Sequence, residues 1–247
     1  MLDVHPPHEA AHTWKDFFIH IATICIGLLI AVGLEQSVEA LHRQHERAEL
    51  RESLRRESEQ IVRDCERMEA TIATEIQWHQ QVEGLLLASA HEHRPIGATP
   101  PMYQASAFDV PVDSVYLAAK ASNQRDLLSQ QEVQAYGELD SVVDDVRLMD
   151  QRHGDALAQE SESWHTLPIS TANVAVDLTH YLPIQQLQNA SLTPAQLDET
   201  YKDAVRVSIS SAKLLYFTRS ARGAATAMLK GKRDLRDIQA AEHQFDQ

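Results

Sequence analysis

An uninterrupted apolar run from Phe17 to Leu34 constrains this chain more than any other stretch. The run is eighteen residues long, contains no Lys, Arg, Asp or Glu, and has His20 as its only strongly polar side chain. A helix rises about 1.5 Å per residue, so this length is close to the minimum for crossing a bilayer core of about 30 Å. The run therefore predicts a single transmembrane helix at 17–34.

A cleaved signal peptide is the main alternative to a retained anchor. The small residues Ala31 and Gly33 resemble those of a cleavage site. However, residues 1–16 carry three acidic side chains against a single Lys15, whereas a signal peptide begins with a basic region. The helical pattern also continues past the run without a break, so a retained anchor is favoured.

Beyond the span, the composition is that of a helical protein. Only 8 of the 247 residues are Gly and 9 are Pro, while Ala, Leu, Glu, Gln and Arg are abundant. The formal net charge of −14 disfavours a nucleic-acid partner, because phosphate binding needs a concentrated basic surface. We expect an N-terminal tail at 1–16, a helical stalk at 35–60 and a helical bundle domain at 61–247.

The membrane helix is expected to run on to about Ala90, because residues 35–90 contain no Pro and one Gly. Apolar side chains recur along this stretch at a helical period of about 3.6 residues. They form one stripe: Leu34, Val38, Leu41, His45, Ala48, then Ile61, Cys65, Met68, Ile72, Ile76, His79, Val82 and Leu86. The predicted fold is thus all-α, with a transmembrane helix continuing into a stalk and an antiparallel helical bundle.

Residues 91–112 carry four prolines and one glycine, which predicts a long loop, either a functional excursion or a crossover. A helix is expected over Asp113–Leu128. Ser129 and Glu132 have the spacing of a capping box, and Thr193-Pro194 is typical of a helix start. The last helix is expected to be long, with the basic cluster at 230–236 on a solvated helix face.

Within the span, His20, Gly27 and Ala31 lie close to one helical stripe. Gly27 and Ala31 are four residues apart, the spacing of small residues that allows close approach of two membrane helices. Two interpretations remain open: a contact face with a second helix, or a lone helix whose polar end lies among the lipid headgroups. Trp14, immediately before the span, is interpreted as an interfacial anchor.

The search for chemistry yields little. Five of the 13 His residues follow a carboxylate by three positions, a spacing found in di-iron bundles, but such a site also needs further inward Glu residues. Those pairs are Glu9/His12, Glu39/His42, Asp150/His153, Glu162/His165 and Asp177/His180. Motifs for a nucleophile, a phosphate loop or a zinc site are absent. We therefore assign no catalytic, cofactor or metal-ligating residue and expect no enzymatic activity.

The N-terminal segment HTWKDFFIHIATICIGLLIAVGLEQSVE resembles an uncharacterised bacterial family of single-pass membrane proteins. The later segment VYLAAKASNQRDLLSQQEVQAYGELD is similar to that family's helical region. The resemblance implies a cytoplasmic tail and an outward-facing domain, although family members usually have a basic tail and this one is acidic and His-rich. It implies no activity and no site residue.

The function expected from the sequence is that of a membrane-anchored interaction or accessory-subunit protein. Its expected location is the bacterial inner membrane, with the bulk of the chain in the periplasm. The expected partners are the lipid bilayer and a protein, or a second copy bound through the membrane helix and stalk. Two alternatives are a bundle that senses a ligand near the 91–112 loop and a metal-binding bundle enzyme.

Overall fold

A computed structural model describes residues 14–96, 109–165 and 192–244, and within these ranges every regular element is a helix. The elements are α1 (Trp14–Glu92), α2 (Ser114–Ala121), a short 3₁₀ helix (Gln124–Leu127), α3 (Gln130–His165), α4 (Pro194–Leu229) and α5 (Leu235–Glu242). The predicted all-α bundle is confirmed. The predicted continuation of the membrane helix to about Ala90 agrees with α1, which ends at Glu92.

The chain divides into two compact units, Met1–Arg51 and Glu52–Gln247, and the division falls inside α1. The second unit begins at Glu52, earlier than the predicted start of the bundle at Ile61. Leu54 and Ser58 are buried there although the surrounding sequence is mostly charged. The arginines between them, Arg55 and Arg56, bind Glu52 on the exposed face instead.

The second unit is built from the C-terminal part of α1 together with α3 and α4. Side-chain bonds between α1 and α3 join Glu75 to His153 and His79 to Glu160, so these two helices run in the same direction. Between α1 and α4, Met68 contacts Thr218 whereas Glu83 contacts Ser208, so α4 runs opposite to α1.

The parallel arrangement of α1 and α3 explains the long loop after α1. The carboxylate of Glu57 on α1 accepts hydrogen bonds from the backbone N–H groups of Val115 (2.6 Å) and Tyr116 (3.3 Å), at the start of α2. The chain leaving α1 at Arg94 must therefore return to the level of Glu57, about 50 Å along the helix axis. Most of the predicted loop at 91–112, residues 97–108, lies outside the described ranges.

Helix starts agree with the sequence. Ser129 and Glu132 form the predicted capping box, with the backbone N–H of Ser129 donating to the Glu132 carboxylate over 2.9 Å. Thr193 caps α4 in the same way with Gln196, and Pro194 is the first helical residue.

Two predicted helices are wrong in extent. The helix predicted over Asp113–Leu128 stops at Ala121, because Asn123 adopts a left-handed conformation (φ 59°) and a 3₁₀ turn follows. The basic cluster predicted on one helix face is instead mostly in a turn. The chain reverses at Gly231 (φ 82°), and Asp234 caps the separate helix α5.

The core of the second unit follows the predicted stripe of α1. The fully buried side chains of this stripe include those of Ile61, Cys65, Met68, Ile72 and Val82. Burial raises the pKa of the Cys65 thiol to about 12. The Cys65 thiol is therefore inaccessible to a partner's thiol. The N-terminal part of the stripe differs, since Leu34, Val38 and Leu41 are more than half exposed.

Candidate functional site

Two histidines and two glutamates lie buried at the centre of the second unit. Glu75 and His79 are one turn apart on α1, and His153 and Glu160 are two turns apart on α3; each is at most 4% exposed. The Nε2 atom of His153 lies 3.0 Å from Glu75 Oε1, and Nε2 of His79 lies 3.2 Å from Glu160 Oε2. Each imidazole is thus matched with a carboxylate from the other helix.

Helix α4 completes this cluster with hydroxyl groups. Ser211 donates to Glu75 Oε1 over 2.7 Å, and the Ser210 hydroxyl lies 3.0 Å from His153 Nδ1. The second ring nitrogen of His79, Nδ1, lies 3.0 Å from the backbone carbonyl oxygen of Glu75. The cluster therefore ties all three long helices together through polar contacts.

The charges in the cluster stabilise one another. Burial alone would raise the pKa of the Glu75 carboxyl, but the hydrogen bond and charge of His153 hold this pKa below its ordinary value. Burial alone would lower the pKa of His79, but the hydrogen bond and charge of Glu160 outweigh it and raise this pKa. For both Glu75 and His79, the contact with the partner on α3 outweighs the effect of burial on the pKa.

The cluster does not have the form of a metal centre. Among the described residues, no group of three or more His, Cys, Asp or Glu side chains is arranged to hold a metal ion. In each pair the imidazole nitrogen is directed at the carboxylate oxygen. The atoms that could bind a metal ion therefore bind each other. The arrangement instead locks three helices in register, with one unpartnered buried oxygen, Glu160 Oε1.

Of the five carboxylate–histidine spacings, two have both side chains among the described residues, Glu39/His42 and Asp150/His153, and in both the histidine binds a different carboxylate. His153 binds Glu75 of α1 rather than Asp150, and His42 binds Glu46 on the exposed surface. The side chain of His165 and the pairs Glu9/His12 and Asp177/His180 lie outside the described residues.

The periodicity of α1 places His79 on the inward stripe, but it does not reveal the residues that bind His79. Glu75 is one helical turn before His79, a spacing that marks a shared face. Glu160 is 81 residues from His79 in sequence, so only the packing of α3 on α1 brings the two together.

A cavity of about 600 Å³ lies at the end of the second unit where α1 ends and α4 begins. Its lining is mostly apolar, with Leu86, Leu197 and Tyr201 on the walls and His93 and Arg94 from the start of the crossover. This volume is in the usual range for small-molecule sites.

In the first unit, the predicted membrane stretch is exposed along its whole described length. The segment has a mean hydropathy of 2.5 over its best window, and none of that window is buried. Trp14 is 73% exposed and contacts only the neighbouring rings of Phe17 and Phe18 among aromatic residues described here. Within the described ranges, α1 is thus the one helix that is long and apolar enough to cross a membrane.

The predicted contact face of this helix is sterically open. A Cβ atom added at Gly27 would meet nothing within 4 Å. Polar groups near the face bind the helix's own backbone: His20 Nδ1 lies 2.9 Å from the carbonyl oxygen of Asp16, and Thr23 donates to that of Ile19 over 2.8 Å. Such internal bonding is what a hydrocarbon environment requires of polar side chains.

Comparison with protein-family models, with curated proteins and with solved structures gives no match to this chain.

Proposed function

We propose that the chain is a membrane-anchored helical protein that acts through protein contact, as an accessory subunit or interaction module, without chemistry of its own. The observation that carries this proposal is the segment Phe17–Leu34, whose side chains are exposed in the described structure. Continuous apolar surface of this extent is unfavourable in water, at about 25 cal/mol per Å², and is typical of a segment covered by lipid.

The proposed location is the bacterial inner membrane, with the second unit in the periplasm. The family resemblance supports this orientation. The charge count at the two ends of the span favours the opposite one, because Arg43, Arg47 and Arg51 follow the span and only Lys15 precedes it. These arginines alternate with glutamates along α1, and Arg43 binds Glu39 over 3.1 Å, which supports a role in helix stabilisation.

A topology experiment tests both parts of the proposal. Reporters active only in the periplasm or only in the cytoplasm are fused after Gln247, and the membranes are washed with alkaline carbonate. We expect the chain to stay in the membrane pellet and only the periplasmic reporter to be active. Release into the supernatant would contradict the anchor, and activity of the cytoplasmic reporter would contradict the orientation.

A second candidate function is the sensing of a small ligand, which the cavity between Leu86 and Tyr201 favours. Its walls are mostly apolar, and its charged or titratable lining groups include His93, Asp198 and Arg94, which is paired with Glu92 over 2.6 Å. This lining suits an amphiphile with an apolar body and a polar head group. Thermal-shift measurements with medium-chain fatty acids test this function. A rise in Tm that the Leu197→Trp substitution abolishes is expected, and no rise with any chain length would exclude this ligand class.

A further inference from the structure

The outer seam between α3 and α4 carries two cavities in line, of about 600 and 350 Å³. Gln159 of α3 and Arg206 of α4 line both cavities, so they mark the middle of one continuous groove. Helix α5 rests on the same two helices nearer the start of α3: Gln239 donates to Glu138 over 3.0 Å, and Ser220 donates to the carbonyl of Glu242 over 3.3 Å.

The two halves of this groove carry opposite charge. The smaller cavity has two cations, Arg152 and Lys213, against one carboxylate, Asp155. The larger cavity has three exposed carboxylates against one ammonium group. These carboxylates are Glu162, Asp198 and Glu199, and the ammonium is that of Lys202, which binds Asp198 over 2.5 Å.

The middle of the groove is internally balanced and partly apolar. Arg206 forms an ion pair with Asp203 of its own helix. Ile209 lines the smaller cavity and is 51% exposed, while Ala156 beside it is nearly buried. An apolar side chain of this exposure next to a groove gains from being covered by a partner.

We propose that this groove is the contact surface for a second copy of the chain, bound about a two-fold axis that passes near Gln159. A two-fold contact places the same patch of both copies face to face in opposite directions. Arg152 and Lys213 of one copy then lie over Glu162 and Glu199 of the other, and the reverse holds at the second half. The lining residues extend over about 21 Å of α3 and about 27 Å of α4, an area on the order of the ~800 Å² per partner of a standard interface.

This inference goes beyond the proposed function, because it places a contact in the bundle and not in the membrane helix. Disulfide cross-linking of the full chain in detergent tests this inference. The exposed Cys25 is first replaced by Ser, whereas Cys65 is kept because its thiol is buried. Gln159→Cys is expected to give a cross-linked dimer on mild oxidation. Glu66→Cys, on an exposed face of α1, is the control and is expected to give little. A control yield equal to that of Gln159→Cys, or no dimer with Gln159→Cys, would overturn the proposal.

Charge exchange provides a second, sharper test on the Gln159→Cys chain. Arg152→Glu with Lys213→Glu makes both halves of the groove acidic, and Glu162→Lys with Glu199→Lys makes both halves basic. Each variant alone is expected to lose at least tenfold in cross-linked dimer because like charges then face each other. An equimolar mixture is expected to recover heterodimer to near the wild-type yield, which also shows that both variants fold. Wild-type yields from either variant alone, or no recovery on mixing, would overturn the proposal.

Contact through the membrane helix is distinguishable in the same assay. Gly27→Leu is expected to leave the cross-link at position 159 in place, because the groove lies wholly in the second unit. Loss of that cross-link with Gly27→Leu, together with an unchanged yield in the charge variants, would assign the association to the membrane helix instead.

Discussion

At the scale of single residues, Glu75 of α1 connects to both α3 and α4. Its carboxylate binds the His153 imidazole and accepts a hydrogen bond from the Ser211 hydroxyl. Its backbone carbonyl oxygen contacts Nδ1 of His79. Removing one partner of a buried ion pair leaves the other charge without compensation, which costs about 3–5 kcal/mol.

We therefore expect Glu75→Gln to lower the free energy of unfolding by about 3 kcal/mol. The measurement is urea unfolding of the full chain in detergent, followed by circular dichroism. Glu66→Gln, which neutralises an exposed carboxylate of the same helix, is expected to change this free energy by less than about 0.5 kcal/mol. Equal effects of the two substitutions would show that the buried cluster does not stabilise the fold.

The pKa shifts predict a bundle that is more stable in mild acid than in mild base. Burial raises the pKa of Glu242 to about 7, and burial with a hydrogen bond to Asp140 raises that of Asp113 to about 6. The pKa of His79 is also raised. All three groups bind protons more tightly when folded, so their contribution is full below their unfolded pKa values and is lost as pH rises through the folded ones. Glu75 has the opposite sign, and its contribution is lost in acid below about pH 4.5.

The expected result is a maximum in Tm near pH 5 and a Tm lower by about 5 °C at pH 8. Thermal unfolding across this range checks the expectation. Glu242→Gln mimics the protonated carboxyl, so it is expected to flatten the part of the decline around pH 7. A Tm that rises steadily from pH 5 to pH 8 would contradict the assignment of these shifts.

At the scale of elements, the attachment of α5 depends on a close approach of two backbones. A Cβ atom at Gly223 of α4 would lie 2.4 Å from the carbonyl oxygen of Ala241, and Ile238 of α5 is fully buried beside it. Any side chain at position 223 must therefore displace α5.

Gly223→Ala is expected to destabilise the chain by about 1–3 kcal/mol, because the added methyl group overlaps α5. Gly154→Ala provides a matched control, since a Cβ at this exposed position of α3 meets nothing within 4 Å. Replacing a helical glycine there is expected to stabilise by about 0.5–1 kcal/mol. The free energy of unfolding is measured in urea for both variants. Changes of opposite sign would support the close packing of α5 on Gly223, and changes of the same sign would contradict it.

The proposed membrane segment of α1 gives a prediction about helix–helix contact. If Gly27 and Ala31 form a contact face, Gly27→Leu removes the space for a second backbone and is expected to lower helix association several-fold. Gly33→Leu is the matched control, because position 33 lies on another side of the helix and is equally open. A two-hybrid reporter of membrane-helix association measures both, and equal signals from the two variants would exclude this face.

At the scale of the whole molecule, local signals in the sequence predicted the buried stripe of α1 and the starts of α3 and α4. The stripe from Ile61 to Leu86 and the caps at Ser129 and Thr193 depend on residues three or four apart, and these predictions are confirmed. The break at Asn123 was missed because a left-handed residue inside a helix-forming stretch has only a weak signal in sequence. The pairing of Glu75 with His153 was missed because it requires α1 and α3 to be parallel, and loop composition does not determine direction.

The arrangement of the helices also sets the order in which the chain can complete its fold during synthesis. Met68 of α1 packs against Thr218 of α4, 150 residues later. At translation rates of about 5–20 residues per second, Met68 on the apolar stripe of α1 waits roughly 8–30 s for Thr218 to be made. The first helix to emerge therefore stays partly uncovered until α4 has been made, and we expect nascent chains truncated before α4 to bind chaperones that recognise exposed apolar helices.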